Sequence, residues 1–392
     1  MKRIFTGLSL ILSGLVVAIL LAELVLKLTG FSFPSFQRYD LHAGFSLLEG
    51  AHGSYSTEGE SYVRINGQGM RDDREIAVRK APGVYRIALL GDSYAQALQV
   101  PVEKSFWRVL ERRLNACKPF GDRTVEVLNF GVQGYSTAQE LQTLRHRVWQ
   151  FQPDLVLLAF YSGNDVQDNS REFSGLHLRP YFVLRGNQLV LDDSFLDSPR
   201  YKAGSSVPWL MYQNISQYSR VAQLLNKAKV VAEQALQAGQ RDVAARDDES
   251  DLRAFHRIYR SPQDAQWESA WRVTEELIVL MRNEVAAKGA TFVVVALSNP
   301  IQVHPNREVR AEYARHLGVA DLFYPESRIK ALSEREGLRL ISLAEPFQKY
   351  ADEKQVYLHG FPNTRMGFGH WNENGHGLAG KMISEYLCRN KP

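Results

Sequence analysis

Tyr85-Arg86-Ile87-Ala88-Leu89-Leu90-Gly91-Asp92-Ser93 runs from an apolar stretch straight into a Gly-Asp-Ser turn. Residues 85–90 do not alternate between polar and apolar, so they read as a strand buried on both faces, the pattern of a parallel sheet. Two more apolar runs end in the same manner. Residues 125–130 close on Asn129-Phe130-Gly131-Val132-Gln133-Gly134, and residues 154–161 lead to Gly163-Asn164-Asp165. In open α/β sheets the chemistry collects at the carboxyl ends of strands.

Helical patterns separate these runs. One lies near 101–116. A second begins near Thr137, whose side chain can cap it, with Leu141, Leu144 and Val148 at helical spacing. A fourth strand, 291–297, follows a long helix at about 264–288, and a fifth, 338–343, precedes a last helix at 375–387. This alternation predicts an α/β fold, a parallel five-stranded sheet with helices on both faces.

A serine in a sharp strand-to-helix turn is exposed at the positive end of the helix, where negative charge is favoured. Alone, Ser93 is equally well explained as a helix cap. Its company decides the matter: His370-Trp371-Asn372-Glu373-Asn374-Gly375-His376 opens the last helix and supplies a base. The four blocks resemble, in order, the signature blocks of the SGNH (GDSL-type) hydrolase superfamily, densely around the blocks and loosely over 85–388.

The resemblance implies a flavodoxin-like sheet of order 2-1-3-4-5. It implies Ser93 as nucleophile, His370 as base, and Ser93 N–H, Gly134 N–H and the Asn164 amide as oxyanion donors. The activity implied is hydrolysis of an ester. One position departs from the family pattern: where an aspartate usually stands three residues before the histidine, this chain has Gly367. The expectation is a Ser93–His370 dyad whose imidazole is oriented by a backbone carbonyl near Gly367. Gly367→Asp would then be neutral or activating if the loop tolerates a side chain. Glu373 is expected to point away.

Asp92 and Asp165 are expected to brace their loops through backbone N–H groups. Gly131 is assigned to its turn, and His304, His359 and His376 to structural or solvent-exposed positions. No His/Asp/Glu spacing matches a metal site, and no cofactor is expected.

Lys2 and Arg3 precede an apolar run of about 19 residues, 4–22, enough to span a bilayer as a helix. Leu21-Ala22-Glu23-Leu24 lacks a small-x-small cleavage pattern. An uncleaved anchor is the reading, a cleaved signal the alternative. Lys2 and Arg3 then stay cytoplasmic, and the catalytic part faces outward across the inner membrane, in the periplasm of a Gram-negative cell. A net charge of +4 on 392 residues, with no basic stripe interleaved with aromatics, argues against nucleic acid.

The expected organisation is an anchor at 1–29, a linker and short-strand cover at 30–80, and a hydrolase domain at 81–392. An insertion of about 171–262 separates strands three and four. Within it, 181–184 and 189–191 flank Gly186-Asn187 as a hairpin, 216–240 reads as an amphipathic helix, and 241–251 is highly charged. Inserted loops at a catalytic edge usually shape the substrate site. The two cysteines, Cys117 and Cys388, each fall just past a predicted helix. In a flavodoxin-like order those ends share one side, so the pair is either a disulfide or two isolated thiols.

The expected substrate is an O-acyl, foremost acetyl, ester of an envelope or secreted glycan, with a lipid ester second. The rivals are an acyltransferase using the same serine and histidine, and a non-catalytic glycan-binding or assembly protein. The missing aspartate gives weight to the last.

Overall fold

The computed structural model describes residues 2–186, 188–240 and 256–390. Asn187 of the expected hairpin turn and the charged stretch 241–251 lie outside the described residues. The chain opens with the helix Lys2–Leu28, whose span Ile4–Leu28 is long and apolar enough to cross a membrane and is not buried against the rest. Two short antiparallel pairs follow, β1 (Gln37–Asp40) with β2 (Gly44–Leu47) and β3 (His52–Tyr55) with β4 (Ser61–Arg64).

The central sheet holds β5 (Val84–Gly91), β6 (Thr124–Asn129), β7 (Leu155–Phe160), β10 (Thr291–Ala296) and β11 (Arg339–Ser342). Its order is β11-β10-β7-β5-β6. All four pairings are parallel. Numbered within the sheet, the order is 2-1-3-4-5, as expected. Period-two side-chain direction splits the strands between two cores. Ile87, Leu89, Leu155 and Leu157 pack with Phe106, Leu110 and Leu387 on one face. Ala88, Leu90, Val156 and Leu158 pack with Leu141, Leu144 and Leu277 on the other. Both faces are covered, which explains why these strands read as unbroken apolar runs.

The helices Phe106–Cys117 and Glu373–Arg389 lie together on the first face, and their last turns carry Cys117 and Cys388. The two cysteines form a disulfide with Cα atoms 6.3 Å apart, joining residues 271 apart in sequence. The long helix Ala265–Ala287 is capped by Asp264, whose side chain accepts from Trp267 N.

Between β7 and β10 the antiparallel pair β8 (Tyr181–Arg185) and β9 (Gln188–Asp192) forms where alternation placed it. The single helix expected over 216–240 is instead two, Val207–Tyr218 and Arg220–Gln240. Ser219 divides them with extended backbone, and its Oγ accepts from Ala222 N. Residues 30–80 pack onto the catalytic edge through Leu47, Leu48, Val63 and Ile65, which meet Leu98, Val132 and Tyr135.

Candidate active site

β5 ends in a turn that the next four residues carry into one short helical stretch, Ser93–Gln96. Asp92 caps it, its Oδ1 accepting from Tyr94 N at 2.9 Å. Ser93 is thereby held at the carboxyl edge of the sheet. Its Oγ lies 2.8 Å from His370 Nε2. The serine and histidine that the sequence singled out therefore meet, although 277 residues separate them.

The expected dyad is corrected. His370 Nδ1 faces Glu58, with Oε2 at 2.5 Å, and the His370 backbone N–H donates to Glu58 Oε1 at 2.7 Å. No carbonyl near Gly367 takes this place. Nor does position 367 have room for the usual aspartate: Gly367 has φ +85°, and a Cβ there would sit 2.5 Å from His304 Cδ2. Glu373 does point away, pairing with Lys104 at 3.4 Å.

Glu58 lies in the connection between β3 and β4, inside the segment read as a cover. Three features hold it against the histidine. Asn363, in the loop before His370, donates to Ser56 O and Gly59 O and accepts from Gly59 N. Gly59 (φ +66°) passes so close to Gln99 O that a Cβ would lie 2.3 Å from it. Gly369 (φ +72°) leaves the space that the carboxylate occupies, since a Cβ there would meet Glu58 Oε1 at 2.0 Å. Burial raises the Glu58 carboxyl, but the hydrogen bonds and charge of His370 outweigh it and hold the group below its usual value.

A buried chain of hydrogen bonds fixes the peptide before His370. Trp371 Nε1–H donates to Ser298 Oγ (3.0 Å), and Ser298 lies 3.2 Å from His359 Nε2. His359 Nδ1 is 2.8 Å from Gly369 O. Because a carbonyl only accepts, Nδ1 carries the proton and Nε2 receives the serine hydroxyl. Burial pushes His359 down to about 3, so it stays neutral. His376 is buried against Phe106, and His304 accepts from Asn306 N.

Of the three expected oxyanion donors, Ser93 N–H and Asn164 sit at the Ser93 turn, while Gly134 shares a cleft with Gln96 at the end of the same helical stretch. Asn164 Nδ2 donates to Asp92 Oδ2 at 3.0 Å. An amide nitrogen carries two hydrogens, so this bond aims the second one while leaving it available. Asp92 thus does more than brace its own loop. Asp165 does brace its own, accepting from Tyr161 N at 2.8 Å. Gly134 (φ +82°) has its carbonyl held by Arg179 Nη2 at 3.0 Å. Gly131 serves the turn, since a Cβ there would lie 2.4 Å from Ala95 Cβ. Gly134, Gln96, Leu98 and Thr57 line a cleft of about 810 Å³ that extends to Ser32–Gln37 and Lys227.

No family model matches the chain. No curated protein matches it either. Among solved structures it is similar to an α/β hydrolase from the metagenome of Lake Arreo, Spain, at 14% identity, covering 78% of this chain and 94% of that one, with a TM-score of 0.36. It is similar to an acetyl xylan esterase at 12% identity, covering 77% and 99%, with a TM-score of 0.37. A GDSL-like lipase from Bacteroides thetaiotaomicron is similar at 9% identity, covering 80% and 92%, with a TM-score of 0.35. The fold assignment rests on strand order and on the blocks at the strand ends. By both, this chain has an α/β fold with a parallel sheet of order 2-1-3-4-5, the arrangement that its resemblance to the SGNH-type hydrolases implies, and the carboxylate facing His370 comes from the N-terminal segment.

Proposed function

We propose that this protein is a membrane-anchored serine ester hydrolase whose triad is Ser93, His370 and Glu58. The observation that carries the proposal is the unbroken line from Ser93 Oγ through the imidazole to the Glu58 carboxylate. Ser93 Oγ attacks the ester carbonyl while His370 Nε2 takes its proton. Glu58 keeps Nδ1 protonated, which fixes the tautomer and stabilises the imidazolium. Ser93 N–H, Gly134 N–H and the Asn164 amide hold the oxyanion. The imidazolium returns its proton to the departing alcohol, and water then cleaves the acyl-enzyme by the same route.

The cleft beside Gly134 is open and mixed in polarity, which suits an O-acyl, foremost acetyl, ester on an envelope or secreted glycan. A disulfide between the only two cysteines favours an oxidising compartment, hence a catalytic part on the periplasmic side of the inner membrane. Glu23 favours an uncleaved anchor. Its carboxylate accepts from Arg220 N and Val221 N, a tertiary contact that a removed signal would forfeit. The non-catalytic reading drew its weight from a missing carboxylate, and Glu58 fills that place.

The test is acetate release from a small acetyl ester and from acetylated polysaccharide, comparing wild type with Ser93→Ala. Release into water by the wild type alone supports hydrolysis. Turnover only with added glycan acceptor means acyl transfer at the same residues.

A further inference from the structure

The helix Val207–Tyr218 is built inside out. Its buried residues are Gln213 and Gln217, at 8% and 7% exposure, while Met211 and Ile215 stand 61% and 63% exposed. Val207, Trp209, Tyr212 and Tyr218 are exposed as well, and the helix contains no charged residue. A helix facing water does the reverse, placing its apolar stripe inward and its polar residues out. Exposed apolar surface of this extent marks an interaction site.

Its position says what covers it. Tyr218 is followed by Ser219, Arg220 and Val221, which are tied to Glu23 of the N-terminal helix by Ser219 Oγ–H (3.1 Å), Arg220 N–H (2.8 Å) and Val221 N–H (3.0 Å). Glu23 lies nineteen residues after Ile4, about 29 Å along a helix rising 1.5 Å per residue, against a hydrocarbon core of about 30 Å. With Lys2 and Arg3 at the inner face, Glu23 stands at the outer boundary of the bilayer. An acid there is accounted for, because it accepts the unpaired N–H groups at the start of Arg220–Gln240.

We propose that the exposed face of Val207–Tyr218 lies in the outer boundary of the same membrane that holds residues 4–28, with Trp209, Met211, Tyr212, Ile215 and Tyr218 immersed among headgroups and upper acyl chains. The inference rests on the reading of Lys2–Leu28 as a retained anchor. The occupant is lipid, for two reasons. The apolar face is continuous with the anchor through Glu23, and its chemistry, aromatic and aliphatic without charge, is that of interfacial belts. Docking also holds the cleft beside Gly134 near the leaflet, since Ser32–Gln37, just past the anchor, line it.

The test is photolabelling of the full-length chain in phosphatidylethanolamine/phosphatidylglycerol vesicles carrying a phospholipid with an acyl-chain diazirine, with adducts mapped by mass spectrometry. Adducts are expected in 207–218 as well as in 4–28. Met211→Glu/Ile215→Glu should reduce those in 207–218 by roughly tenfold, with 4–28 labelling and circular dichroism unchanged. Labelling confined to 4–28 overturns the inference and leaves the anchor standing. A chain that begins beyond residue 28 overturns both. Crosslinks joining 207–218 of two copies, without lipid adducts, assign the face to a second copy and overturn it as well.

Discussion

Glu58 Oε2 lies 2.5 Å from His370 Nδ1 across 312 residues of sequence, and the same carboxylate takes the His370 backbone N–H through its other oxygen. One side chain thus sets both the position of the base and the tautomer of its ring. Ser93 and His370, the proposed nucleophile and base, meet at the edge of the central sheet, whereas Glu58 enters from the short-strand segment ahead of it.

Glu58→Gln should lower kcat by roughly 1,000- to 10,000-fold with little change in KM, because an amide offers neither the charge nor a secure tautomer. Steady-state kinetics on a small ester check this. Glu373→Gln should leave kcat within about twofold, since Glu373 faces Lys104 and solvent.

Moving the carboxylate to its usual place should fail. Gly367→Asp, alone or with Glu58→Gln, should destabilise the protein by roughly 1–3 kcal/mol, because position 367 combines positive φ with a Cβ clash against His304. Urea unfolding measures the loss. Recovered activity in the double variant would show that the loop has room after all.

Asp92→Asn should cut kcat by ~10- to 100-fold without touching substrate, because Asp92 Oδ2 aims the Asn164 amide. The same substitution carries a pH signature. Burial lifts the Asp92 carboxyl from 3.8 to about 6. Between those values the folded chain keeps a proton that the unfolded chain has released, so this group's contribution to stability falls as pH rises from about 4 to 6. Wild-type stability relative to the variant should therefore drop by up to about 3 kcal/mol across that window. Paired urea titrations at pH 4, 5, 6 and 7 read the difference, and a flat or rising one contradicts it.

The disulfide closes a loop of 271 residues, for which chain entropy gives stabilisation on the order of 5 kcal/mol. Cys117→Ser/Cys388→Ser should unfold at lower urea and keep its turnover, because the bond lies at helix ends away from the serine. The unreduced, denatured wild type should show no reactive thiol.

The sheet was legible in the sequence because burial on both faces leaves residues such as Ile87, Ala88, Leu89 and Leu90 uniformly apolar. Ser93 and His370 were legible because the turn after β5 and the start of the last helix carry local signatures. Glu58 was not. Its role arises from tertiary closure, and locally it is one acid among Glu58-Gly59-Glu60 in a loop. Gly59 and Gly369 were the only traces, as glycines where a backbone must pass close. Val207–Tyr218 escaped because its apolar residues face outward, so they form no stripe of the kind that a water-facing helix buries.

The most direct measurement is reaction of the full-length protein with a serine-directed phosphonate, followed by intact mass and peptide mapping of wild type, Ser93→Ala and Glu58→Gln. The triad predicts a single adduct on Ser93, none in Ser93→Ala, and labelling slowed by roughly 1,000-fold in Glu58→Gln. Equal labelling of wild type and Ser93→Ala, or wild-type labelling rates in Glu58→Gln, would contradict it.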